Sequence, residues 1–424
     1  MKLKFKQLFV SLIIGFLLTA CVPNPDSTNS LVSESESTST SETINYPLVT
    51  FRVSLPMQIS AGSKVKIAGN FNDWSPFAEG YELTKSSDNK YVIELSFETA
   101  DVGQIIKYKY VLLLPNQVDE PWANVEGGAK GEEISDRTYK LISGAQTKTD
   151  TVAAFKNNIG KTSLTRGKLE IITLTMSQYE DQRTRKVRIW TPDGYEANGS
   201  KNYPVLYMHD GQNLFDSYTG FSGEWKIDEA IGTMMDQGYQ GAIVVGIDNG
   251  VDRLNELTVN WPLSSSGSSN NIKPSGENYA AFIVETVKPY IDSNYKTDAS
   301  AASTYIGGSS LGGVMSFYLT LTYPEVFGKS LLFSTSMWIY QTGTIANVIN
   351  GANLGSITNK PKIYVYGGGA EGSNIAGDVA NIYSAFINIG YSDQMIKKHV
   401  EPGKGHNEDA WALHFPIAFN WLKS

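Results

Sequence analysis

The chain has 424 residues, 41% of them hydrophobic and 11% aromatic, which suffices for two or three domains with ordinary cores and excludes a chain disordered throughout. Its formal net charge is −8, and no cluster of Lys and Arg beyond the first six residues could track phosphates, so nucleic acid is not an expected partner. A single cysteine, Cys21, excludes any disulfide within the chain.

At the start, Lys2, Lys4 and Lys6 precede an apolar stretch from Leu8 to Leu18 and then Leu18-Thr19-Ala20-Cys21. Basic region, apolar region and small residues before a cut are the layout of a secretory signal, and the stretch is shorter than the ~20 residues of a membrane-spanning helix. Leu-Thr-Ala-Cys resembles a bacterial lipobox. That resemblance implies a lipoprotein signal over residues 1–21, with Cys21 acylated and the chain anchored at the outer face of the cytoplasmic membrane or at the cell surface. The alternative is an ordinary signal peptide with an incidental cysteine. Residues 22–45 are mostly Ser, Thr, Glu, Asn and Pro and should form a solvated, disordered tether.

Residues 46–150 show short alternating runs, Val49-Thr50-Phe51-Arg52-Val53, Lys64-Val65-Lys66-Ile67-Ala68 and Tyr91-Val92-Ile93-Glu94-Leu95, separated by Gly, Asn, Asp and Pro. This predicts a small antiparallel β-sandwich, with a boundary in the polar stretch from Ser143 to Asp150. From residue 165 to 424 near-continuous apolar runs at Val187–Trp190, Pro204–Met208, Ala242–Gly246, Ser330–Phe333 and Lys362–Val365 alternate with helical stretches at Trp225–Met235, Tyr279–Tyr290 and Val314–Thr322. The pattern predicts an α/β domain, a mostly parallel sheet with helices on both faces.

Within it, Gly308-Ser309-Ser310-Leu311-Gly312 reads Gly-x-Ser-x-Gly between a strand run and a helical run, a nucleophile elbow with Ser310 at its tip. A serine hydroxyl needs a base. Of four histidines, His406 stands on a glycine-rich loop after the run Ile396–Val400, where it can reach a serine at the same sheet edge. His209 ends an early strand beside the oxyanion region, whereas His399 and His414 fall in periodic segments and read as structural. With the order Ser, acid, His, the acid belongs on the loop after Ile363–Tyr366, where Glu371 is the choice and Asp378 the competitor. The oxyanion donors are the Leu311 N–H and one from the Met208–Asn213 turn, at Gly211 or Gln212. No cluster of His, Cys and carboxylate has metal-ligand spacing, so neither a metal nor another cofactor is expected.

Residues 165–424 resemble the putative-esterase family of α/β-hydrolases, which includes esterase D, feruloyl esterases and siderophore esterases. The resemblance rests on Met208–Asp216, Gly223-Glu224-Trp225, Gly246–Asn249, Gly308–Gly313, Tyr323–Gly328 and Gly405–Glu408. It implies an α/β-hydrolase fold, a nucleophile at Ser310, a base at His406 and an acid at Glu371. Tyr366-Gly367-Gly368-Gly369 departs from the Asp-Val-Gly-Thr type of turn of many relatives and leaves the acid open.

In the first domain, Ala68–Trp74, Lys107–Tyr110 and Pro121-Trp122 resemble the starch-binding modules of carbohydrate-binding families 20 and 48. The resemblance implies a sugar platform of Trp74, Trp122 and Lys109, although Gly127 stands where an asparagine belongs. The competing reading makes both indoles core or interdomain residues. Together these features predict a surface-anchored serine esterase acting on acyl esters of a polysaccharide or oligosaccharide. A siderophore esterase and a glycan-binding lipoprotein with an inactive hydrolase domain are the alternatives.

Overall fold

The computed structural model describes residues 46–117, 121–129, 134–156, 162–220, 223–269, 272–372 and 374–424. The signal segment, the tether and Cys21 lie outside the described residues.

Alternation builds the first unit. In β1 (Pro47–Ser54) Val49, Phe51 and Val53 are fully buried while Leu48, Thr50 and Arg52 are half-buried, as a strand with one covered face requires. After it come β2 (Lys64–Gly69), β3 (Glu82–Lys85), β4 (Tyr91–Ser96), β5 (Ile105–Leu113), β6 (Glu126–Gly127), β7 (Arg137–Lys140), β8 (Gly144–Thr151) and β9 (Ala154–Phe155). Seven of these strands form one sheet in the order β7-β5-β2-β3-β4-β1-β8, and β6 pairs with β9. Three strands separate β1 from β5, yet Phe51 and Tyr108 meet edge to face at 5.1 Å. The hydroxyls of Tyr108 and Tyr110 both donate to Asp150 of β8, at 2.7 and 3.0 Å. The sheet therefore curls until its ends face each other across one apolar cluster.

Two expectations change here. The sheet is not purely antiparallel, because β8 pairs with β1 in parallel from Pro47↔Gly144 to Ser54↔Thr151. The polar stretch taken as a boundary is this same strand. It reads as polar because it lies at the sheet edge, and its one inward acid, Asp150, is held by the two tyrosines and by Arg137 at 3.2 Å. The unit runs on to β9.

In the second unit β10 (Lys168–Thr175), β11 (Thr184–Thr191), β12 (Val205–His209), β13 (Ile243–Ile247), β14 (Thr304–Ser309), β15 (Lys329–Phe333), β16 (Lys362–Gly368) and β17 (Ile396–Glu401) form one sheet, ordered β10-β11-β13-β12-β14-β15-β16-β17. The two β11 pairings are antiparallel and the other five are parallel. Helices α1 (Ile227–Asp236), α2 (Arg253–Glu256), α3 (Ser265–Ser269), α4 (Gly276–Phe282), α5 (Lys288–Asn294), α6 (Leu311–Thr322), α7 (Thr344–Gly351), α8 (Ile375–Asn388) and α9 (Glu408–Lys423) follow in chain order, a π-helical turn joining α4 to α5.

Both faces of the sheet are covered, which is why its central strands carry apolar residues on both sides rather than in strict alternation. Along β12, Val205 and Tyr207 enter one core with residues of α4, α6 and α8, whereas Leu206 and Met208 enter the other with residues of α1 and α9. Parallel pairing aligns the carboxyl ends of β12, β14, β15, β16 and β17 along one edge, where the turns that follow them meet. No described helix is long and apolar enough to cross a membrane.

Candidate active site

The turn between β14 and α6 places Ser310 at φ 59°, ψ −121°, a conformation that costs a non-glycine residue about 1–3 kcal/mol. Its neighbours explain how it persists. The Ser310 N–H donates to Phe333 O at 3.0 Å and the Ser336 N–H donates to Ser310 O at 3.1 Å, so the end of β15 holds both sides of the turn. A β-carbon at Gly308 would stand 2.9 Å from the ring of His209, and one at Gly312 would stand 3.1 Å from the His209 β-carbon. The two glycines of the motif therefore make room for a histidine packed beneath the elbow. Leu311 opens α6, where an N–H has no acceptor within the helix.

Two strands away, Glu371 follows β16. Its side chain is only 1% exposed, and three donors reach it: His406 Nδ1 to Oε2 at 2.6 Å, Ser334 Oγ to Oε1 at 2.6 Å and the Gly368 N–H to Oε1 at 2.6 Å. Burial alone would push this carboxyl up. The bonds from His406, Ser334 and Gly368 outweigh it and hold the group below the ordinary carboxylate range. Asp378, the competing acid, sits in α8 without a bond to any histidine, and burial pushes it up to about 6.

His406 lies in the turn between β17 and α9 with its side chain 37% exposed. Asn407 caps α9 by accepting from the Ala410 N–H at 3.0 Å, and Trp411 meets the imidazole edge-on at 5.1 Å. With Nδ1 bonded to Glu371, the second ring nitrogen faces away from that carboxylate. Glu371 and His406 are thus brought together, whereas no hydrogen bond joins Ser310 to His406. The Ser310 hydroxyl is bonded to Ser336 Oγ at 3.1 Å.

After β12, Asp210 takes a left-handed conformation at φ 56° and starts the short turn Gly211–Asn213. Arg253 fixes it with two bonds, Nε to Oδ1 at 2.6 Å and Nη2 to Oδ2 at 2.7 Å. The Asn249 N–H holds Gln212 Oε1 at 3.1 Å. A β-carbon at Gly211 would lie 2.5 Å from the Gly246 carbonyl carbon, so only glycine permits this approach of the turn to β13. No acceptor among the described residues takes the N–H of Gly211 or Gln212. Asn213 Nδ2 donates to Glu408 Oε1 at 3.0 Å, tying this turn to the segment after His406.

Of the remaining histidines, His209 and His414 are buried, whereas His399 is partly exposed and bonds Glu401 Oε2 at 2.7 Å. His209 is 2% exposed, bonds Tyr279 through Nδ1 at 3.1 Å, and burial lowers it to about 4. His414 bonds the Tyr364 hydroxyl at 2.9 Å and stacks on Tyr366 and His399. Two groups of acids and histidines cluster in the fold: His399, Glu401 and His414 in one place, and Glu224, Asp228 and Glu229, near neighbours in sequence, in another.

Among the tryptophans of this unit, Trp225 is core at 2% exposed, and Trp261 packs against Phe317, Tyr318 and Tyr340. Trp338, two residues beyond Ser336, is 43% exposed. The described part of the segment from Ser264 to Asn271 is helix α3, fastened to the Trp338 and Ile339 carbonyls by Ser264. In the first unit Trp74 and Trp122 stand together, ring centroids 6.3 Å apart and half-buried. Lys109 does not join them at the surface. It is 1% exposed and its ammonium donates to Ile134 O at 2.8 Å, because it lies on a β5 position that faces inward.

Sequence reasoning missed Ser334, Ser336, Arg253 and Trp411. The available signal was Ser334-Thr335-Ser336, small polar residues directly after the strand that neighbours the elbow.

Residues 179–416, more than half of the chain, match the family model described as "Putative esterase". The chain belongs to this esterase family. The esterase is 24% identical over 246 residues to an uncharacterized protein, YbbA, of Bacillus subtilis, covering 56% of this chain and 92% of that one. It is 37% identical over 109 residues to an alpha-amylase of Niallia circulans, a match that spans 26% of this chain and 8% of the amylase. Among solved structures it is similar to a feruloyl esterase module from Clostridium thermocellum, with 19% identity and a TM-score of 0.47 over 61% of this chain and 88% of that one.

Proposed function

We propose that the chain is a serine esterase that cleaves acyl esters carried by a carbohydrate. The observation behind the chemistry is the buried Glu371 carboxylate bonded to His406 Nδ1 at the sheet edge where the elbow presents Ser310. For reaction, the Ser310 hydroxyl leaves Ser336 and turns to His406 Nε2. Its oxygen attacks the ester carbonyl as the proton passes to the imidazole, and Glu371 steadies the charged ring. Leu311 N–H and a second N–H, from Gly211 or Gln212, receive the oxyanion. Collapse expels the alcohol, which takes the proton from His406. Water then enters by the same route in reverse, freeing the acid and restoring Ser310.

The carbohydrate part rests on the paired indoles of Trp74 and Trp122, whose faces suit the C–H face of a sugar ring, and on the local match to an amylase. Lys109 drops out of that platform. The lipobox-like Leu18–Cys21 supports an exported chain anchored through Cys21, and a solvated tether would hold the enzyme off the membrane.

One set of assays tests the reading. Rates are measured on a soluble p-nitrophenyl ester and on an acylated polysaccharide for the native chain, Ser310→Ala and Trp74→Ala. Ser310→Ala should lose at least about 10³-fold in kcat on both substrates. Trp74→Ala should raise KM on the polysaccharide alone. Equal rates for Ser310→Ala would end the serine mechanism, and an unchanged polysaccharide KM for Trp74→Ala would return the indoles to a structural role.

A further inference from the structure

The segment between the Gly211 turn and α1 buries acids that the ester chemistry does not use. Glu224 is 4% exposed and Asp228 is 0% exposed. One carboxylate oxygen from each of Glu224, Asp228 and Glu229 lies within 4.8 Å of one from each of the others. On one side these acids are well supplied. Asp228 Oδ2 accepts from the Thr165 N–H at 3.0 Å, the Thr165 hydroxyl at 3.3 Å and the Arg166 N–H at 3.3 Å. Ser163 Oγ lies 3.2 Å from Glu224 Oε2 and 3.3 Å from Oδ1 of Asp216, a fourth acid at the rim.

The other side is bare. Glu224 Oε1, Asp228 Oδ1 and Glu229 Oε2 are all buried and have no hydrogen-bond partner among the described residues. The nearby guanidinium of Arg166 is already engaged by Asp193 and Asp236. Two buried carboxylates and a half-buried one beside them, each with a buried spare oxygen, must be neutralised by protons or by a cation. Burial and the neighbouring acids push both Glu224 and Glu229 above the ordinary carboxylate range.

We propose that Glu224, Asp228 and Glu229, with Asp216 adding charge at the rim, bind one calcium ion. The donor set is all oxygen and irregular, without histidine or thiolate, which favours Ca²⁺ over Zn²⁺ and over the strictly octahedral Mg²⁺. The ion would not touch substrate. It would fasten the entry segment Ser163–Arg166 and the start of α1 to Gly223–Trp225. That segment meets the histidine loop: a β-carbon at Gly223 would stand 3.3 Å from the Glu408 β-carbon. The site therefore braces the frame on which the His406 loop rests.

The test uses the full chain stripped with EDTA, calorimetric titration with CaCl₂ or MgCl₂, and thermal unfolding with and without each salt. One Ca²⁺ per chain should bind with a Kd of about 10⁻⁶–10⁻⁴ M, protons should be released near neutral pH, and Tm should rise by several degrees at saturation. Glu224→Gln and the less buried Glu229→Gln should each weaken binding at least about tenfold. Two variants guard against one failing to fold. Absence of both heat and a Tm shift in the native chain at about 5 mM Ca²⁺, well above the expected Kd, overturns the site. Native affinity in both variants overturns it as well.

Discussion

Glu371 and Glu224 are both glutamates taken almost wholly out of water, and they end in opposite states. Glu371 receives three donors on its two oxygens and stays ionised below the ordinary range. Glu224 has a serine hydroxyl on one oxygen, nothing among the described residues on the other, and two acids beside it, so it is pushed up to about 7. Burial is common to both. What separates them is the count of donors aimed at the carboxylate, and that count decides whether a buried acid can steady an imidazolium or must wait for a proton or a cation.

The largest break in this comparison comes from Glu371→Gln. The amide keeps the shape but cannot hold His406 in the tautomer that leaves Nε2 free to accept the serine proton. A loss of about 10⁴-fold in kcat is expected in steady-state ester hydrolysis. A loss of less than threefold would show that another group orients His406.

Next in size is pH. In chelated protein Glu224 binds its proton more tightly folded than unfolded. The stability it contributes is therefore complete below about 4.5 and lost as pH rises toward about 7, a change of at most about 3 kcal/mol. Glu371 runs the other way: its contribution is complete above the ordinary carboxylate range and is lost as pH falls through its depressed value. Denaturant unfolding of the chelated chain from pH 3 to 8 should therefore peak in the mildly acidic range, and saturating Ca²⁺ should flatten the neutral side alone. A stability that rises steadily to pH 8 without Ca²⁺ would contradict the assignment at Glu224.

Much of this arrangement was readable before folding. The α/β pattern and the elbow were legible because apolar runs buried on both faces and a Gly-x-Ser-x-Gly turn are local features, set by a few adjacent residues. Glu371 was reachable only through chain order, since nothing in Gly367–Gly372 announces that Ser334, from another strand, will donate to it. The strand Gly144–Thr151 was hidden because at a sheet edge most of its side chains face water, leaving no apolar alternation to read. Lys109 misled for the opposite reason: an ammonium is expected outside, and here a backbone carbonyl satisfies it inside. The acids Glu224, Asp228 and Glu229 are near neighbours in sequence, but their burial was hidden because the groups that bond them come from Ser163–Arg166, about 60 residues away.

The smallest expected effect tests the donors one at a time. Ser334 is fully buried at φ 45°, donates to Glu371 and accepts from Trp411 Nε1 at 2.9 Å, so one hydroxyl serves both the acid and the ring beside His406. Ser334→Ala removes that hydroxyl and should cost about 1–3 kcal/mol in stability and roughly tenfold in kcat. Ser334→Gly removes it too but suits the positive φ, so it should recover up to about 1 kcal/mol of the stability and none of the activity. A merely structural serine would let activity follow stability in both. A serine that supplies Glu371 leaves one more sign: with a donor gone, the Glu371 pKa rises, and acid unfolding of either variant should begin at higher pH than in the native chain. Acid unfolding at the native pH in both variants would mean that His406 and the Gly368 N–H are enough to hold the carboxylate ionised.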